Sequence, residues 1–93
     1  MIIGTLQVKL RIPDADSLKA KRFVIRSMVD RIRARFNLSI SEIGSQDSWQ
    51  MALLGVAMIG SEQRFMNQVL SKVMDILRGE RRLEVIDSRL EFL

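Results

Sequence analysis

The sequence predicts an α+β sandwich of four strands and two helices in the order β-α-β-β-α-β, on three observations. Residues 2–12 alternate apolar and polar with the two-residue period of a strand. Residues 17–36 carry apolar side chains at the spacing of a helix. Beyond them, two more alternating runs flank a turn-rich segment at 44–48, and a second helical stripe and a last strand complete the chain. Short connections and right-handed crossovers turn that order into one domain over residues 1–93. It is the split βαβ, or ferredoxin-like, sandwich: a four-stranded antiparallel sheet of order 4-1-3-2 with both helices on one face.

Each element has a local reason. In the first strand Leu6, Val8, Leu10 and Ile12 share one face, while Thr5, Gln7, Lys9 and Arg11 take the other, and Pro13 ends the run. After the acidic turn Asp14-Ala15-Asp16, the hydroxyl of Ser17 is placed to cap a helix by accepting a free backbone N–H. Leu18, Ile25, Met28, Val29, Ile32 and Phe36 form its apolar stripe, over a length of about 28 Å. Asn37, tolerant of a left-handed backbone, is the expected stop. Residues 38–43 form the second strand. The third, 49–59, is apolar on both faces: Trp49, Met51, Leu53, Ala57 and Ile59 on one, Ala52, Leu54, Val56 and Met58 on the other. A strand of that kind is ordinarily covered on both sides. Gly60-Ser61 leads into the second helix, with Phe65, Val69, Val73, Ile76 and Leu77 as its stripe and Gly79 as its stop. Residues 83–92 form the last strand, whose alternation slips near Asp87 in the manner of a bulge.

Composition excludes several kinds of chemistry. At 47% hydrophobic and 28% charged the chain reads as a soluble globular domain rather than a disordered one. No apolar run approaches the ~18 residues of a bilayer span, and the alternating N-terminus argues against a signal peptide. With no cysteine and no histidine, thiolate chemistry, most zinc sites and the Ser-His and Cys-His nucleophile arrangements are excluded. The expectation is a cytoplasmic, non-catalytic protein that needs no cofactor. An acylphosphatase, which uses this fold, holds phosphate in a glycine-rich loop after the first strand; here that loop is glycine-free and acidic.

Charge is concentrated in one segment. Residues 17–36 hold seven cations against Asp30 alone, in a chain of net charge +4. Arg31, Arg33 and Arg35 lie toward the helix C-terminus, where the backbone dipole favours cations by about 0.3–1 kcal/mol. Lys19, Lys21 and Arg22 lie in the first turns, where the dipole disfavours them. Lys19, Arg22, Arg26 and Arg33 fall within about 60° on the helical wheel, and Asp30 is spaced to pair with Arg26 or Arg33. Lys21 projects within the apolar stripe, either snorkelling past the end of the sheet or hydrogen-bonded or partner-facing. Phe23 lies beside the basic arc, as an isolated exposed aromatic or as a contact point. In this topology three connections share one end of the sandwich, which gathers Lys19, Lys21, Arg22, Arg81 and Arg82 with Gln46, Asp47, Trp49 and Gln50. Trp49 reads as an anchor packed over the sheet end in preference to a stacking platform.

The opening IIGTLQVKLRIPDADSLKAKR, the segment FNLSISEI, the stretch QDSWQMALLGVAMI and the closing EVIDSRLEFL resemble the YlxP-like bacterial family of small proteins of unassigned activity. By position, the family's motif residues are Ser17, Leu18, Lys19, Lys21, Arg22, Gln46, Asp47, Trp49, Gln50 and Gly55; Phe23 departs from the usual polar residue. The resemblance implies a ferredoxin-like fold. It also implies a cytosolic bacterial protein whose genes often lie beside those of translation and ribosome-maturation factors.

Two functions are expected. One is an accessory protein that binds structured RNA or a ribosomal subunit. Lys19, Lys21, Arg22, Arg26, Arg81 and Arg82 would hold phosphates, and Gln46, Asp47, Trp49 and Gln50 would supply selectivity or hairpin contacts. Because Gln7 and Lys9 occupy the sheet where a base-stacking fold carries aromatics, recognition would be of shape and backbone. The other is a protein-interaction module, a homodimer joined through the open sheet face.

Overall fold

The computed structural model describes residues 1–93 as β1 (Ile2–Arg11), α1 (Leu18–Arg35), β2 (Ser39–Gly44), β3 (Met51–Gly60), α2 (Gln63–Arg78) and β4 (Glu84–Phe92). The sheet runs β2-β3-β1-β4 with every neighbour antiparallel, the predicted order seen from its other edge. The core is aliphatic. Leu6, Val8 and Leu10 of β1 and Ala52, Leu54, Val56 and Met58 of β3 are buried beneath Ile25, Met28 and Ile32 of α1 and Met66, Leu70, Val73 and Leu77 of α2. The opposite face of the sheet carries no helix.

Local chemistry sets the boundaries. Ser17 has an extended backbone and its Oγ accepts from Ala20 N at 3.0 Å, a cap worth about 1 kcal/mol. At the other end α1 stops at Arg35, and no left-handed residue is needed. Phe36 turns extended at φ −126° so that its ring packs on the core, while its N–H still donates to Ile32 O. Asn37 is therefore not the left-handed stop expected of it; the one non-glycine residue with positive φ is Ser45. The slip read near Asp87 is a bulge: Lys9 pairs with Asp87 and Leu10 with Val85, which leaves Ile86 as the extra residue.

Two stripes differ from expectation. On α2 the buried set is Met66, Leu70, Val73, Met74, Ile76 and Leu77, and Phe65 is exposed. Glycines decide this rotation. A Cβ on Gly60 would lie 2.8 Å from Met66 Sδ, and one on Gly4 would lie 3.2 Å from Met66 Cε. Met66 thus seats in a notch that two missing side chains leave in the sheet, and α2 turns it inward in place of Phe65. On β3, pairing begins at Met51 because Met51 N–H donates to Ser48 Oγ, which keeps Trp49 and Gln50 in the preceding turn.

Candidate nucleic-acid interface

α1 enters the sandwich beside the β2–β3 hairpin, and a single lysine joins the two. Lys21 is fully buried, with 0% of its surface exposed. Its Nζ donates to Ser45 O at 2.8 Å, Met51 O at 3.0 Å and, more weakly, Gln46 O at 3.4 Å. Glu42 Oε2 lies 3.0 Å from the same nitrogen. That oxygen is buried, and the lysine ammonium is its only neighbour of opposite charge. Glu42 acts here as a counter-charge. Ser45 takes φ 59°, a conformation that costs a non-glycine residue ~1 kcal/mol, and its carbonyl accepts both Lys21 and Ser48 N–H.

Gln50 completes the joint. Its backbone O accepts from Ile12 N at 2.7 Å, and its Nε2 donates to Pro13 O at 3.2 Å and Ala15 O at 3.3 Å. The turn after β1 is thereby tied to the hairpin. The two most distinctive motif segments of the sequence, SLKAKR and QDSWQ, form one hydrogen-bonded knot.

This geometry corrects the predicted phosphate-binding set. Lys21 has no surface to offer a phosphate, since every N–H it owns is spent inside the fold. Arg82 is also engaged: its Nε and backbone N–H both bond Glu80 Oε2, at 3.0 and 3.1 Å, and its guanidinium reaches Ser27 Oγ at 3.3 Å. Ser27 lies five residues beyond Arg22 on the opposite flank of α1, so the 79–82 link does not join the Arg22 side of the helix as expected. Arg81 is exposed and makes no ion pair.

The remaining cations share one flank. Lys19, Arg22 and Arg26 are exposed and have no intramolecular ion pair or hydrogen bond. The expected pairing of Asp30 with Arg26 or Arg33 is not formed. Arg33 instead donates to Ile40 O at 3.0 Å, across to β2. Arg22, Arg26 and Arg33 line an open groove of about 430 Å³ between α1 and β2, floored by Ile25, Val29 and Ile40 and closed at the hairpin end by Gln46. Gln46 Nε2 is anchored on Glu42 O at 3.2 Å. Asp47 is exposed at the hairpin tip. Trp49 is 56% exposed and outside the core cluster, so it is not the packed anchor expected of it. Phe23 stands 70% exposed beside the basic flank.

Sequence reasoning missed Glu42 and Glu80. Glu42 was legible: it occupies a core-phase position two residues after buried Ile40 in β2, as Lys21 does in the stripe of α1. Two opposite charges, each in the inward phase of its element, are a pairing signal. Glu80 gives no such periodic signal, because it lies in a connection.

The fold and knot define a ferredoxin-like sandwich with a hairpin stapled to its first helix. The chain belongs to the family described as "Protein of unknown function (DUF503)", which matches residues 3–90. It is 35% identical over 91 residues to the "Uncharacterized protein YlxP" of Bacillus subtilis strain 168, covering 98% of this chain and 99% of that one. Among solved structures it is similar to a de novo designed protein with ferredoxin fold, at TM-score 0.58 and 12% identity, over the whole of this chain and 84% of the other. It is also similar to LarC2, the C-terminal domain of a cyclometallase involved in the synthesis of the NPN cofactor of lactate racemase, in the apo form. That likeness has TM-score 0.50 and 7% identity, over the whole of this chain and 55% of the other. These two are likenesses of fold alone. No helix is long and apolar enough to cross a membrane, and no three or more acidic side chains gather as a metal site.

Two predictions follow from the joint and the link. Lys21→Met should lower stability to urea by about 3–5 kcal/mol, since it strands buried acceptors and a buried carboxylate. Glu42→Gln should lower it by less, since the carbonyls remain and only the counter-charge is lost; equal losses would show that the carboxylate, not the carbonyls, holds the lysine. For Glu80, the side-chain and then the backbone hydrogen bond from Arg82 hold its carboxyl at about 2, against an ordinary 4.5, and outweigh the opposing effect of burial. A depressed carboxylate stabilises the fold above its unfolded value and loses that stabilisation as pH falls. Glu80→Gln should therefore be less stable than the parent at pH 7, with the gap closing between pH 4.5 and 2, as read by urea unfolding at each pH.

Proposed function

We propose that this protein is a non-catalytic accessory factor that binds structured RNA, as part of ribosome maturation or translation, through the exposed basic flank of α1. The observation that carries the reading is the unpaired state of Lys19, Arg22 and Arg26 on one exposed flank, with Lys19 and Arg22 in the first turns of a helix whose dipole disfavours them there. Stability alone does not account for cations at that end, whereas Arg33 and Arg35 suit their place in the last turn. Arg22 and Arg26, four residues apart, are separated by ~6 Å along the helix axis, and both border the groove that Gln46 closes.

Lys21 and Gln50 serve the reading indirectly, by fixing the hairpin beside that flank. Arg81, exposed on the other side of α1, would extend a basic surface around the helix. Phosphates held in this way give affinity without base information, which suits a partner recognised by its folded shape. The site would act in the cytoplasm, where such RNA resides.

The test is a salt titration of binding to structured ribosomal RNA fragments by the parent and by an Arg22→Glu, Arg26→Glu variant, with urea stability as a control. The parent should bind with log K falling linearly against log salt. The variant should bind more weakly, with the slope reduced by about 2. Parent binding that is insensitive to salt, or a variant with unchanged slope and affinity, would sink the proposal.

A further inference from the structure

β2 is an edge strand, and its free edge borders the basic groove beside α1. The backbone groups it turns outward follow from the phase of β3. Met51 directs its carbonyl to Lys21 Nζ and its N–H to Ser48 Oγ, on the side away from β1. Gly55 and Ala57 share that two-residue phase and turn theirs to β2, where their partners are Ser41 and Ser39. Ser39 and Ser41 therefore exchange backbone bonds with β3, and Ile40 and Glu42 present their N–H and C=O groups to the groove.

Such an edge ordinarily recruits another strand, because it offers unpaired donors and acceptors in alternation. Here both acceptors are taken by side chains of the chain itself. Ile40 O accepts from Arg33 Nη2 at 3.0 Å, and Glu42 O accepts from Gln46 Nε2 at 3.2 Å. The Glu42 N–H lies between those two carbonyls along the edge and has no intramolecular acceptor. Ile40 is buried, whereas Glu42 is half-buried, which leaves the Glu42 N–H as the outward donor within reach of a ligand. The β2 edge thus offers donors without acceptors.

We propose that a backbone phosphate of the bound RNA seats on the Glu42 N–H, between the Arg33 guanidinium and the Gln46 amide. This placement rests on the RNA reading above. It runs the nucleic-acid strand along the groove between α1 and β2, not across the outer surface of the helix.

A phosphodiester suits this edge because its free oxygens only accept. They can take the Glu42 N–H together with the N–H groups that Arg33 and Gln46 retain after bonding their carbonyls. Both side chains are already held by the fold, so binding costs little of their rotamer freedom. Arg22 and Arg26 line the same groove, which sets three guanidiniums against Asp30, an acid with no partner. The Glu42 carboxylate, also in the groove wall, is balanced by Lys21. An added peptide strand would need the carbonyls of Ile40 and Glu42, and neither is free. The helix dipole explains a cation at position 33 but not its reach across to β2, which the phosphate site does.

The experiment is nitrogen-15 NMR of the parent titrated with a short RNA hairpin and, separately, with a polyglutamate peptide. Salt titrations of RNA binding by Arg33→Gln accompany it, with circular dichroism as the folding control; glutamine can still cap Ile40 O but carries no charge. The hairpin should move the Glu42 amide proton downfield, and further than those of Ser39 and Ser41, which are spent on β3. Arg33→Gln should reduce the slope of log K against log salt by about 1. Suppose RNA binds and is weakened by Arg22→Glu with Arg26→Glu, yet the Glu42 amide stays in place or Arg33→Gln keeps the parent slope. That result overturns this site and leaves the basic flank standing. RNA that does not bind at all removes both. Polyglutamate that moves the Glu42 amide as far as RNA does would show a groove for acidic peptides and overturn the phosphate assignment.

Discussion

The structure depends on one buried ammonium. A lysine with no exposed surface is tolerable only when all three N–H groups are satisfied and its charge is balanced. Lys21 meets both conditions, with the carbonyls of Ser45, Met51 and Gln46 within hydrogen-bond distance of its Nζ and the Glu42 carboxylate beside it. Those acceptors come from the β2–β3 hairpin, 24 to 30 residues away. Satisfying the lysine therefore fixes where the hairpin lies against α1. Gln50 adds the turn after β1 to the same joint. Three chain segments that the fold merely brings to one end become a single hydrogen-bonded unit.

That joint determines which cations of α1 face solvent. With Lys21 at the centre of the buried stripe, Arg22 and Arg26 turn toward β2 and line the groove there, while Ser27 and Arg31 turn toward the link after α2. The two flanks then differ in electrostatics. The link side is partly neutralised, because Glu80 accepts from Arg82 and also lies 4.0 Å from Arg31. The β2 side keeps its charge, apart from Asp30, which pairs with nothing. The net charge of the helix is thus spread unevenly around it, with its unpaired cations concentrated on the β2 side.

Period and turn chemistry made the framework legible. Alternation in residues 2–12, the Ser17 cap and the slip near Asp87 each correspond to a single local cause, and each lies where that cause puts it. What stayed hidden depends on pairs of elements. Phe65 and Met66 are both apolar and one residue apart, and only the notch between Gly4 and Gly60 selects Met66. Trp49 is excluded from β3 by the Ser48 hydroxyl, which sequence spacing does not reveal. The phase of Lys21 places it in the apolar stripe of α1, but its partner is Glu42, in phase with Ile40 on another element. The counter-charge for a buried cation is found by asking which acid elsewhere is also out of place.

The burial of Lys21 is open to direct observation in solution by nitrogen-15 NMR of the lysine ammonium groups. An ammonium held by three carbonyls and closed off from solvent should give a slowly exchanging resonance for Lys21, with proton contacts to Ser45 and Met51. Lys9, Lys19 and Lys72, all exposed, should exchange too fast to be seen under the same conditions. A Lys21 ammonium that exchanges as fast as these three, or shows no contact with the hairpin, would contradict the account.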